Sequence, residues 1–204
     1  MKNKRGLVLM SLGLLLLLGA VFLTGFNILD EQRAQRKSEV TAEAMHGLIP
    51  DFSGEEPAEE ETLPEATVMQ TVEIDGGEYI GVLDIPALEL SLPVQKDWSY
   101  PKLKLSPCRY AGSFLEDNMV IAAHNYRKFF GMLSQLQAGD ILTFTDVLGT
   151  VYQYEVVLTE TLNGTAVEEM ISEDWALTLF TCTPSGQSRV TVRCRRVIPD
   201  PDGS

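Results

Sequence analysis

At 204 residues with a formal net charge of -13, the chain is long enough for one ordinary domain plus appendages. It is too acidic to offer the basic face that nucleic acid requires, so nucleic acid is excluded as a partner. Three cysteines are too few for a disulfide framework, and no CxxC pair or His/Cys cluster has the spacing of a zinc site.

The first element is "MKNKRGLVLMSLGLLLLLGAVFLTGFNILDE". Lys2, Lys4 and Arg5 precede an uncharged run from Gly6 to Leu29. As a helix that run is about 36 Å long, enough to cross a bilayer with some tilt. A secretory leader has a shorter apolar core and a small-x-small cleavage site. Here the best candidate ends Leu18-Gly19-Ala20, with a bulky leucine at its first position. Residues 1–29 are therefore read as a basic cytoplasmic tip and an uncleaved signal-anchor that contacts membrane lipid. The bases stay inside, and the remainder of the chain faces outward as a single-pass type II protein.

Residues 30–70 read as an acidic extracellular linker. Between residues 29 and 70 eleven carboxylates face three bases, which accounts for -8 of the net charge. "DEQRAQRKSEVTAEAMHGL" has good helix formers and no apolar stripe, so a solvated helix is expected. "IPDFSGEEPAEEETLPEAT" is rich in Pro and Glu and is expected to be disordered. His46 is expected to be exposed and without chemistry. "ETLPEAT" faintly echoes a peptide motif considered below and is read as linker.

Residues 71–204 form the domain. "EYIGVLDIP" and "LELSLPVQ" are short β-like runs split by a Pro turn. "NMVIAAH" has the pattern of a buried strand. "FFGMLSQLQ" reads as one or two helical turns. "GDILTFTD" and "TVYQYEVVLTET" flank a "VLG" turn, and "WALTLFTC" and "RVTVRCRRVI" close the series. Many short strands at regular spacing predict a mostly β fold, a barrel or a sandwich. No phosphate-binding glycine motif, heptad or internal repeat occurs.

Chemistry concentrates at two strand ends. Cys182 ends "TLFTC", and His124, the domain's single histidine, ends "NMVIAAH". Arg189 opens the following strand. A free cysteine is most often a small buried hydrophobe, and a lone histidine beside an apolar run is most often structural. A thiol, an imidazole and a guanidinium on one rim would instead serve one reaction. The thiolate attacks a carbonyl, the imidazolium protonates the leaving amine, and the guanidinium stabilises the oxyanion. Arg193 rivals Arg189, because alternation puts both on one face of the strand, and position at the strand mouth favours Arg189. Whether Cys108 and Cys194 pair is open at this level.

These residues carry a resemblance. "LTLFTC" followed by an arginine resembles the TLxTC signature of sortases, the membrane-anchored cysteine transpeptidases of Gram-positive surfaces. "IGVLDIPALELSLPVQ" resembles the family's opening strands. "DNMVIAAHNYRKFFGMLSQLQAGDILTF" resembles its histidine strand, short helix and next strand. The similarity spans about residues 79 to 197. It implies a closed eight-stranded β-barrel with a few short helices. It implies Cys182 as nucleophile, His124 as general acid and Arg189 as oxyanion residue, with Thr181 and Ala123 shaping the substrate pocket. Many relatives have Gly where Ala123 stands.

The implied reaction cuts an LPxTG-like motif of a surface protein or pilin and leaves a thioacyl-enzyme on Cys182. An amine then takes the acyl group, either a lipid-linked peptidoglycan precursor or a pilin lysine. "TCTPSG" resembles the pilin-polymerising class, although the turn to Arg189 is short. No cofactor is implied, apart from the calcium that some relatives hold. Glu168, Glu169, Glu173 and Asp174 are the oxygens nearest such a role, and a solvated acidic loop is the simpler reading. Two other functions fit the same residues: a membrane-tethered β-barrel that only binds, and a hydrolytic cysteine protease.

Overall fold

A computed structural model describes residues 2–49 and 68–198. The Pro- and Glu-rich stretch, including "ETLPEAT", lies outside the described residues. The chain begins with one long helix, α1 (Lys2–Leu48). Nine strands follow: β1 (Val72–Ile74), β2 (Gly77–Ile85), β3 (Leu90–Gln95), β4 (Cys108–Ala111), β5 (Met119–Ala122), β6 (Ile141–Asp146), β7 (Val151–Asn163), β8 (Leu177–Cys182) and β9 (Ser188–Val197). Two four-residue helices intervene, α2 (Tyr100–Leu103) and α3 (Val167–Met170). The expected helical segment after His124 is a 3-10 turn at Leu133–Gln135.

The strand order is β1-β2-β3-β4-β5-β8-β9-β7-β6, and β6 returns to pair with β2. Eight strands thus close a barrel, with β1 added as a flap on β2. Closure abolishes free strand edges. The β2–β6 seam needs Gly81: a Cβ there would collide with the Thr145 carbonyl and the Phe144 ring. Alternation sets inside from outside. Leu177 and Leu179 of β8, Val192 and Cys194 of β9, and Met119 and Ile121 of β5 fill the barrel. Their alternates, Thr178, Phe180 and Cys182 on β8 and Arg189, Thr191 and Arg193 on β9, face outward.

Helix α1 continues without a break from the apolar run to Leu48, and the run is long and apolar enough to cross a membrane. The expectation of a solvated helix after residue 30 is corrected. Ala34, Ser38, Thr41, Ala42 and Met45 are buried, spaced as one helical stripe, and pack towards β2 and β3. Hydropathy hides this stripe because Ser and Thr count as polar and Ala as weakly apolar. Small side chains are what let a helix lie close to a sheet. Met45 fills a pocket with Tyr79 and Val82. His46 is exposed, and its Nε2 lies 3.2 Å from Ser91 Oγ.

Candidate active site

Strands β5, β8 and β9 build the site. β5 and β8 run parallel, from Met119↔Leu177 to Ala122↔Phe180. Beyond the ladder the Ala123 amide donates to the Phe180 carbonyl at 3.2 Å. The Thr181 hydroxyl donates to the Ala123 carbonyl at 2.8 Å. These bonds carry the register past the strand end, so His124 falls beside Cys182. β8 and β9 run antiparallel, and Cys182 pairs directly with Arg189. The tight turn between them is held by the Thr183 amide on the Ser188 carbonyl, 3.0 Å, and the Gly186 amide on the Thr183 carbonyl, 2.8 Å.

Cys182, His124 and Arg189 line one cavity of about 180 Å³ on the outer surface of the barrel. Thr181 and Ala123 line it too, and their mutual hydrogen bond locks the two strand ends together. The floor is Ala122 and Phe180. One wall is the β7–β8 connection, with Gly164, Val167 and Met170. The opposite wall is aromatic. Tyr110 meets the Phe180 ring edge-on at 5.2 Å, and Trp98 lies 5.3 Å from Tyr110. Sequence reading missed both walls. Phe180 alone was legible, two residues from Cys182 on the same face.

His124 is half-buried, and its Nε2 is buried without a hydrogen-bond partner among the described residues. Desolvation holds its imidazole below the ordinary value of 6.5. The Lys104 charge pushes the same way, and Asp30 opposes them. Cys182 is partly exposed, whereas Cys108 and Cys194 are buried and all three thiols are free. Burial pushes Cys108 and Cys194 up to about 12. They are inert core side chains, and no disulfide joins them.

The two arginines separate. Arg189 Nη1 donates to the Gly186 and Ser188 carbonyls at 2.9 and 3.0 Å. Its Nε and Nη2 have no acceptor among the described residues, so donors remain for a ligand in the cavity. Arg193 is 3% exposed and makes four hydrogen bonds. It donates to Glu160 Oε1 (2.8 Å), the Thr178 hydroxyl (3.1 Å), the Met170 carbonyl (3.2 Å) and the Glu169 carbonyl (2.7 Å). Arg193 therefore staples the α3 wall to the barrel. The carboxylates considered for calcium do not converge: among the described residues no group of three or more His, Cys, Asp or Glu is gathered for a metal.

A sortase-domain family model matches residues 83–197. Among solved structures the chain is similar to sortase C1 from Streptococcus agalactiae, with 28% identity over 63% of this chain and 72% of that one and a TM-score of 0.55. It is also similar to sortase C1 from Streptococcus suis, with 25% identity over 62% and 76% and a TM-score of 0.53. Sortase A from Corynebacterium diphtheriae shares the fold at 18% identity, over 84% and 86%, with a TM-score of 0.56. No curated protein matches.

Proposed function

The chain belongs to the sortase family, and on that premise we propose that it is a membrane-held cysteine transpeptidase with Cys182, His124 and Arg189 as its working groups. The observation that carries this reading is their convergence in one cavity. The Cys182 thiol passes its proton to His124 as its sulfur attacks the carbonyl carbon of the Thr of an LPxTG-like motif. Negative charge develops on the oxygen, and the donors left on Arg189 stabilise it. The C–N bond breaks as His124 delivers a proton to the departing amine. A thioester remains on Cys182. An incoming amine then attacks the thioester carbonyl, gives up a proton to His124, and expels the thiolate.

Apolar walls around the thiol suit a Leu-Pro segment, because burial of such side chains is favourable without polar partners. The acceptor is a lipid-linked peptidoglycan precursor or a pilin lysine. The resemblance of "TCTPSG" to the pilin-polymerising class favours the second. The apolar half of α1 spans the membrane, with the barrel outside the cell.

The test uses the full chain in bilayer nanodiscs with an LPxTG-type peptide, with and without triglycine, read by intact mass. A peptide-acyl adduct on wild type, absent in Cys182→Ala and converted to a peptide–glycine amide, is the expected result. Release of free acid alone at saturating amine would make it a hydrolase. A chain with no adduct, and with Cys182 alkylation indifferent to His124→Ala, would fit only a binding module.

A further inference from the structure

The imidazole of His124 stands on a loop, beyond the last residue of β5, and its buried Nε2 has no hydrogen-bond partner among the described residues. Its position must come from what packs against it. Tyr126 does so, its ring 5.2 Å away and tilted by 34°. Tyr126 also lies 5.7 Å from the buried Phe129 ring. The Tyr126 hydroxyl donates to Asp30 Oδ2 at 3.1 Å. The next residue, Arg127, donates its backbone amide to Glu31 Oε1 at 2.8 Å. Asp30 and Glu31 belong to α1 and are 96 residues distant in sequence.

We propose that Asp30 and Glu31, at the outer end of the membrane helix, are positioning residues that clamp the His124 loop, so that the anchor is part of the catalytic apparatus. This rests on the transpeptidase reading above. Two adjacent carboxylates grip two adjacent residues of the loop, and a carboxylate on a backbone amide makes a strong, charge-assisted bond. The helix behind them is packed on the barrel. Ala34, one turn on, is buried in the barrel's main apolar cluster, and the stripe continues to Met45. Leu29 ends the uncharged run, so the clamp sits at the membrane edge. Membrane, clamp, Tyr126 and imidazole form one connected strut, which sets the groove at a fixed height above the bilayer.

The charges facing His124 are Asp30 from α1, Lys104 just after α2, Arg189 of β9 and the Cys182 thiol of β8. Arg127 and Lys128 follow on its own loop with the Tyr126 phenol. Asp30 favours the imidazolium, against burial and Lys104.

The experiment compares wild type with Asp30→Ala, Tyr126→Phe, the double variant, Glu31→Ala and Glu31→Gln, all as full chains in nanodiscs. Acylation by the LPxTG-type peptide gives kcat and KM, and iodoacetamide labelling of Cys182 gives a pH profile. Asp30→Ala, Tyr126→Phe and Glu31→Ala are expected to lower kcat by roughly 10- to 100-fold with KM and melting temperature unchanged. The double variant loses no more than the worse single one. Glu31→Gln keeps the accepting oxygen and keeps the rate. In Asp30→Ala the acid limb of the profile moves to lower pH. Wild-type kcat and an unmoved acid limb in Asp30→Ala and Tyr126→Phe would overturn the clamp, as would losses that only track a lower melting temperature. A wild type with neither adduct nor His124-dependent labelling would instead sink the transpeptidase reading, and the clamp with it.

Discussion

His124 follows the end of β5 and Cys182 ends β8, and the 58-residue separation between them equals the register offset of these two parallel strands. Residues level with each other on parallel strands point to the same face. The start of the His124 loop is held beside β8 by the Ala123 amide on the Phe180 carbonyl and the Thr181 hydroxyl on the Ala123 carbonyl. Arg189 joins them through direct pairing with Cys182 on the far side. Cys182 and Arg189, fixed by the sheet itself, keep the geometry that a reaction needs.

Arg189→Met is expected to lower kcat/KM for peptide cleavage by about 10²- to 10³-fold, the usual effect of losing one oxyanion donor. Alkylation of Cys182 by a small electrophile should be unchanged, because no oxyanion forms in that reaction. Equal losses in both assays would assign Arg189 to the thiol's environment instead.

Arg193→Met tests the staple. It strands the Glu169 and Met170 carbonyls and the Thr178 hydroxyl. The expected cost is about 1–3 kcal/mol of unfolding free energy, as for buried groups left without partners. KM should rise more than kcat falls, since the substrate wall loosens and the thiol does not move. Chemical denaturation and steady-state kinetics on the same preparation separate the two effects.

The lowered pKa of His124 predicts a pH dependence of stability. Below 6.5 the unfolded chain takes up a proton that the folded site resists. Stability is therefore full above 6.5 and falls as pH drops from there towards the lower folded value. Urea midpoints at about pH 7.5 and about pH 5 measure this, and His124→Asn should flatten the difference, because no imidazole then titrates. An unchanged slope in that variant would place its origin elsewhere.

Thiol labelling of the native protein should modify Cys182 and spare Cys108 and Cys194. Both of the latter are buried and pushed up to about 12, so neither access nor thiolate is available. In denaturant all three should label. Native labelling at Cys194 would contradict its place inside the barrel.

Met45→Ala tests the docked helix. Met45 is fully buried between α1 and the barrel. The expected loss is about 2–5 kcal/mol, the transfer term plus the cavity left behind. A Ser38→Leu change should overpack the same seam at about 1–3 kcal/mol. Thermal unfolding in nanodiscs reads both, and a wild-type melting curve for Met45→Ala would mean that the seam is not formed.

Local periods are written in the order of the residues. A 24-residue uncharged run wrote the membrane-length helix. Alternation wrote β2, β3 and β6 to β9, an unbroken apolar run wrote β5, and the residues around Cys182 and His124 marked the family. β4 was not legible, because "CRYA" is short and half-buried and does not alternate. The docking stripe of α1 was hidden because it is made of Ala, Ser and Thr. Alternation could not choose between Arg189 and Arg193, since both lie on one face. Register separates them in the tertiary structure: one pairs with Cys182 and keeps donors for the cavity, the other pairs with Thr178 and is bound to Glu160, the Thr178 hydroxyl and two α3 carbonyls. The clamp from Asp30 to the His124 loop was equally unreadable. Periodicity is a property of neighbouring residues, whereas the pairing of groups 96 residues apart depends on how the whole barrel closes.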